Sequence, residues 1–470
     1  MNLNKNILVI IGIFVFTGGC SLAPKYTEPK IPVPADWPAG EVYKEAKVAP
    51  GVQAAPQLSR QDFFTDPKLQ QIIETALNNN RDLKLAALNV EMMRAYYGIQ
   101  RAEMFPSVNA AGTGSRQQSA TEFTSPGESR TTNRFDVNLG ISSWEIDLFG
   151  RIRNLKDQAL EEYMATEEAR RGTQVALVSE VAMEYLTLAA DLENLKLARS
   201  TLETQQGIYD LIQRQYEVGL VNELDLRRAQ TQVDAARGDV AGFTQMAALD
   251  QNALNLLVGS PVSDDLLPAD LASIHPPREV FAGLSSEALL YRPDVIAAEH
   301  RLKGAYAYIG AARAALFPRI SLTTLIGTVS RELSGLFKSG SGTWSYAPQI
   351  GAPIFDLRTR AAYRVSKTER DIALAQYEKT IQTAFREVAD ALAVQGTIDQ
   401  QIAAQQSLTD AVADTYRLSN KRYLIGIDSY LGVLDAQRSL YAAQRGLILL
   451  RLGKLVNEVR LYAVFGGGGE

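Results

Sequence analysis

The sequence predicts an α+β membrane protein built by internal duplication, with four amphipathic strands carried on helices far longer than a globular core requires. Three observations predict it. First, the stretch Tyr209 to Gln230 (YDLIQRQYEVGLVNELDLRRAQ) returns as Tyr416 to Gln437 (YRLSNKRYLIGIDSYLGVLDAQ). Tyr209, Leu211, Tyr216, Gly219, Leu224, Ala229 and Gln230 recur at Tyr416, Leu418, Tyr423, Gly426, Leu431, Ala436 and Gln437, a constant offset of 207. Self-similarity at a fixed offset is the signature of a repeated structural unit. Second, each copy carries two segments that alternate apolar and polar residues, as half-buried strands do. Third, each copy contains a helical segment of about 65–70 residues, roughly 100 Å at 1.5 Å per residue.

Composition narrows the function. The 470 residues are 46% apolar and 21% charged, which suits a folded chain and argues against disorder. A net charge of −5 leaves no basic field to hold nucleic acid. His275 and His300 are the only histidines and Cys20 the only cysteine, too few for a metal cage, a redox pair or a His-dependent triad. No nucleophile–base pair, Gly-rich phosphate loop or metal-ligand spacing points to an enzyme or to a cofactor. The two histidines read as structural or solvated.

Residues 1–19 read as a signal peptide, with Lys5 ahead of the apolar run Ile7 to Phe16, too short to span a bilayer. Thr17-Gly18-Gly19-Cys20 resembles a bacterial lipobox. It makes Cys20 the expected lipidation site; a plain secretory signal with a spare cysteine is the alternative. Residues 20–65 form a Pro-rich strap (PKYTEPKIPVPADWPAG), because that proline density prevents helix.

The first repeat covers 66–258. Asp66-Pro67 is a cap followed by proline at the first helical position, and the helix is expected to run unbroken to Met104, ahead of Phe105-Pro106. Strands follow at 107–116 and 133–146. In the second, Phe135, Val137, Leu139 and Ile141 share one face, and Asp136, Asn138, Gly140 and Ser142 the other. Asp147-Leu148-Phe149-Gly150 then opens the long helix, which turns at Gly219. The return helix carries Leu226, Ala229, Val233, Ala236, Val240, Phe243 and Ala247, the spacing of three and four of a coiled-coil seam. Asp250 interrupts it.

A Pro-rich linker, 259–283, joins the halves. The second repeat, 284–465, restates the first: Phe317-Pro318, strands at 319–329 and 343–353, a long helix from Asp356 to about Leu424, a turn at Gly426 and a return helix. Its strands put Ile320, Leu322, Thr324 and Ile326 on one face, and Trp344, Tyr346 and Ile350 on one face. Residues 466–470 are a short Gly-rich tail.

Long antiparallel helices of this kind stand as a wall. In lipid, a sheet must close so that no backbone edge is left unpaired, and four strands cannot close. Copies of the chain must therefore share one barrel. Two copies give eight strands and a filled interior; three give twelve and an open pore. Apolar side chains then face lipid, with Trp344 and Tyr346 suited to the interfacial belt. A soluble hairpin packed on helices is the alternative.

The duplication, the two Phe-Pro junctions, WEIDLFGR at Trp144 to Arg151, the two tips and CSLAPKY after the signal resemble TolC-like outer-membrane factors. The lipidated branch with OprM and NodT relatives is the nearest in pattern. The resemblance spans essentially the whole chain. It implies a homotrimer with a twelve-stranded outer-membrane β-barrel, continued by a long periplasmic α-helical barrel. It implies a passive efflux conduit in a Gram-negative outer membrane, docking a periplasmic adaptor and an inner-membrane pump, often of the proton-driven RND type. A conduit for type I protein secretion is the second reading, and an envelope coiled coil without a pore the third.

A conduit must be shut at rest. Leu431 and Asp435 lie four apart, so one helix face presents both, and in a trimer each forms a ring of three that could plug or charge the aperture. Seam packing for Leu431 and a solvated face for Asp435 are the alternatives. The resemblance assigns both to the periplasmic gate. It implies a latch at Asp225, Arg422 and Tyr423, made of charge-assisted hydrogen bonds between neighbouring hairpins. It also implies adaptor docking on the apolar turns Val218-Gly219-Leu220 and Ile425-Gly426-Ile427.

Overall fold

A computed structural model describes residues 21–43, 59–127, 129–278 and 285–467. The signal segment, Cys20, residue 128, and residues 44–58, 279–284 and 468–470 lie outside the described residues. After a single turn at Arg60–Phe63, the main helices are α1 (Pro67–Asn79), α2 (Arg81–Ala102), α3 (Arg151–Glu217), α4 (Glu223–Val258), α5 (Pro293–Ala314), α6 (Leu357–Leu424) and α7 (Tyr430–Val464). The strands are β1 (Val108–Gln118), β2 (Thr131–Ile146), β3 (Arg319–Ser330) and β4 (Gly342–Gly351). The chain divides into two units. One lies within residues 1–30, 89–166 and 297–377, and the other within 31–88, 167–296 and 378–470.

In the first unit the strands make one antiparallel sheet in the order β1-β2-β3-β4. Sequential antiparallel pairing leaves β1 and β4 as the two edges, and they run in opposite directions. Leu139, Ile326 and Trp344 stand side by side across three strands, all exposed. On the other face of β2, Asp136 accepts hydrogen bonds from Arg134 Nε at 3.2 Å and Asn138 Nδ2 at 3.0 Å. The period-two pattern therefore sorts an apolar face from a polar one. β2 and β3 approach so closely that a Cβ at Gly140 or Gly327 would collide with the carbonyl oxygen of Thr324 or Val137, respectively. The pairing shifts register between Ile141 and Trp144. Ser143 sits there at φ 57°, a left-handed conformation rare outside glycine and typical of a bulge.

The WEIDLFGR segment locks the sheet to the helices. Arg151 grips Glu145 through Nε and Nη2, both at 2.8 Å, the bidentate geometry that makes such pairs specific. Asp147 accepts from the backbone N–H of Arg153 at 2.9 Å, satisfying an orphan donor at the start of α3. Asp356 does the same at the start of α6, accepting from Arg358 N at 2.9 Å. Phe149 stacks on Phe317 with centroids 4.9 Å apart, so the two duplicated junctions pack on each other.

The strap's first residues dock on helices of this unit. Tyr26 donates to Glu299 at 2.9 Å and meets Tyr306 edge-on. Ser21 donates to Asn154 at 2.9 Å, and Arg313 donates to the Leu22 carbonyl at 3.0 Å. A Cβ on Gly310 would come 2.8 Å from Ala23 Cα, so only glycine admits the strap there. His300 bonds Glu161 at 2.7 Å, a structural role.

In the second unit, Asp66 caps α1 by accepting from Lys68 N and Leu69 N, both at 3.0 Å. The single helix expected from Asp66 to Met104 is two. Asn80 is extended (ψ 134°); its side chain accepts from Leu83 N at 2.9 Å and donates to Leu257 O at 2.8 Å. A second N-cap inside the run ends α1 and starts α2, because Asn offers the backbone an alternative to the helical bond. Strap residue Trp37 stacks on Phe385 at 5.1 Å, and the Val42 carbonyl occupies the space a side chain at Gly396 would need. Phe63 and Tyr462 stack at 4.4 Å. Buried Arg292 is satisfied by Asp294 at 2.8 Å, Glu387 at 2.9 Å and Val464 O at 2.9 Å.

Leu195, Ala198 and Phe243 form the α3–α4 seam. Asp250 interrupts it, with Oδ2 shut off from solvent. Burial first, then the charge of buried Asp191 and a hydrogen bond to it, and lastly the charge of Glu184, push its carboxyl up to about 7. In the second copy Asn457 stands at this position, 207 residues on, and donates to Ala391 O at 3.0 Å.

Two outcomes follow from this packing. Gly327→Val forces β2 and β3 apart at a cost on the order of 3 kcal/mol; the variant should lose its detergent-resistant assembly on gels. Asp250 holds its proton in the native state, so its contribution is full below pH 3.8, the ordinary value, and is lost as pH rises through about 7. Asp250→Asn should therefore melt progressively higher relative to the parent between pH 5 and pH 8, and a pH-independent difference would exclude this account.

Candidate functional site at the hairpin tips

The α3–α4 and α6–α7 hairpins reverse through the same turn. Leu220 N donates to Gln215 O at 2.8 Å, and Ile427 N donates to Arg422 O at 2.9 Å. Gly219 and Gly426 both sit at φ +76°. This six-to-one bond with a left-handed glycine is the Schellman ending of a helix, and it places duplicated residues identically. Val218, Leu220, Ile425 and Ile427 are 70%, 74%, 71% and 59% exposed. Each turn thus presents a small apolar knob.

Behind the turns, all four helices meet in one cluster. Ile212, Ala229, Tyr430, Val433 and Leu434 are buried, with Tyr209, Leu226, Tyr416 and Tyr423 packed around them. Arg438 Nε donates to Gln232 Oε1 at 3.1 Å, a polar link between the two hairpins. Leu431 and Asp435 lie on the opposite, exposed face of α7. This pair is therefore on a free face, outside the seam within this chain.

The latch residues are only partly brought together. Tyr423 OH reaches Gln215 Oε1 at 3.5 Å, and its ring lies 5.3 Å from that of Tyr430. Burial, and then the nearby Asp225 carboxylate, hold the Tyr423 phenol above its ordinary range. Arg422 does not pair with Asp225. It clasps Asp428 through Nε at 2.5 Å and Nη2 at 3.1 Å, and Asp225 instead pairs with Arg228 at 3.5 Å. Sequence reasoning missed Asp428, Gln215 and Tyr430. Aligning the two tips could have found them, since Asp428 and Tyr430 align with Val221 and Glu223, and Arg422 with Gln215.

Both halves of the chain, residues 72–260 and 284–467, match the family model described as outer membrane efflux protein. The chain belongs to that family. It is 48% identical over 467 residues to the toluene efflux pump outer membrane protein TtgC of Pseudomonas putida, covering 99% of this chain and 96% of the relative. It is 38% identical over 454 residues to the outer membrane protein OprJ of Pseudomonas aeruginosa, covering 96% and 93%. Among solved structures, it superposes on the open-state MtrE outer membrane channel of Neisseria gonorrhoeae with a TM-score of 0.84 at 35% identity, covering 95% of this chain and 98% of that one. A CusC structure matches with a TM-score of 0.84 at 38% identity, covering 96% and 100%. The fold expected from the sequence, that of the TolC-like outer-membrane factors, is the fold of this family member. The chain is the outer-membrane channel component of an efflux system, and its family is one of transport channels.

Proposed function

We propose that three copies close a twelve-stranded barrel in the outer membrane and that their hairpin tips form a periplasmic gate. A periplasmic adaptor docks on the tips and opens it, connecting an inner-membrane pump of the proton-driven RND type to the outside. One observation carries this reading: a sheet with an exposed apolar face and two open, oppositely directed edges. Set head to tail, β4 of one copy meets β1 of the next in antiparallel pairing, so a ring closes without changing the pattern. Two copies would fill the interior with side chains, whereas three leave a lumen.

The gate is Leu431 and Asp435, a ring of apolar side chains and a ring of carboxylates on one exposed face. The latch is Asp225, Arg422 and Tyr423, exchanged between neighbouring hairpins on opening. Val218-Gly219-Leu220 and Ile425-Gly426-Ile427 are the docking knobs, each able to bury apolar area tip to tip. Lipid on Cys20 anchors the strap. The substrate class is organic solvents and antibiotics, supported by relatives named for toluene and antibiotic efflux. The same naming supports efflux over protein secretion.

Leu431→Ala with Asp435→Ala should raise single-channel conductance severalfold in planar bilayers; conductance equal to the parent removes the gate assignment. Leu220→Asp with Ile427→Asp should abolish solvent and drug resistance in cells while the trimer still assembles. Resistance that survives both changes defeats the docking assignment.

A further inference from the structure

The two tips share one turn, yet only one of them carries a charge clasp. Asp428 lies just ahead of Ser429, the N-cap of α7, and accepts from Nε and Nη2 of Arg422 across the turn. The first tip has Gln215 and Val221 at these places and still makes the same bond and the same φ of +76°. The turn therefore does not need the clasp. An exposed ion pair between a planar guanidinium and a carboxylate can be exchanged for another of the same kind at little net cost.

We propose that Asp428 is the release partner of the gate latch, a carboxylate that competes within its own tip for the guanidinium that holds the gate shut. This rests on the latch reading above, in which Arg422 reaches Asp225 on a neighbouring hairpin. When Arg422 leaves Asp225 it moves to Asp428, and Asp225 turns to Arg228, 3.5 Å away in its own helix. Arg422 and Asp225 keep a partner on both sides of the transition, while Asp428 and Arg228 gain theirs on opening. One latch pair gives way to two pairs within the tips, so a modest docking energy suffices. Without Asp428, Arg422 loses the carboxylate that receives it across the turn, and the latch should hold longer.

The test uses the purified full chain as its trimer in planar bilayers, with Asp428→Asn, Asp225→Asn and the double variant. Asp428 is exposed and Asp225 half-buried, so assembly is checked by gel migration and by trimer melting. Asp225→Asn should open more often than the parent. Asp428→Asn should open about three- to fivefold less often, the scale of one exposed ion pair. The double variant should behave like Asp225→Asn, because nothing remains to be released. If Asp225→Asn opens more while Asp428→Asn matches or exceeds the parent, the release role is wrong and the latch stands. If Asp225→Asn leaves opening unchanged, the latch itself fails, and the release role with it.

Discussion

Backbone hydrogen bonding at a sheet edge inside lipid is the constraint on which this molecule depends. A strand has partners on both sides or pays several kcal/mol for each orphaned group in hydrocarbon. β2 and β3 are satisfied on both sides, whereas β1 and β4 are each satisfied on one. The chain answers locally where it can. Glycines let β2 and β3 approach, a bulge at Ser143 bends the sheet above the junction, and the polar ladder of Arg134, Asp136 and Asn138 keeps one face wet. The remaining edges need other copies, which makes assembly part of folding in this family.

The strap illustrates how an extended segment is held without secondary structure of its own. Its Pro-rich backbone has few donors to satisfy, and side chains and backbone outside the strap donate to its carbonyls. Ser286 donates to the carbonyls of Ala35 and Pro34 at 2.9 and 2.7 Å, as Arg313 does to Leu22. Gly310 and Gly396 remove the side chains that would lift it off. Those two glycines sit in helix interiors, where glycine costs about 1 kcal/mol, and the strap's contact offsets that cost.

The tips follow a different logic. Their scaffold is symmetric under the duplication, from the glycine angle to the hydrogen bond that closes each turn. Their charges are not. One tip carries a clasped Arg422 and a buried Tyr430, while the other carries Asp225 and Arg228 on a helix flank. Duplicated backbones with diverged side chains thus put a clasp across the turn of one tip and an ion pair along the helix of the other.

The sequence alone determined the duplication, the strand faces, the turns and the family, because each is a local regularity: a repeat offset, a period of two or of 3.6, a glycine at a helix end. It also named Leu431 and Asp435 as a pair, since four residues along a helix define one face. Tertiary structure decided the rest. The helix break at Asn80 depends on Leu257, far along the chain, accepting from its side chain. Asp250 reads as a flaw in a seam until Asp191 is placed against it. Arg422 has several acids within a few turns, and only the folded turn sets its fork against Asp428. Partner choice among charged side chains is a matter of three-dimensional distance, and periodicity carries no information about it.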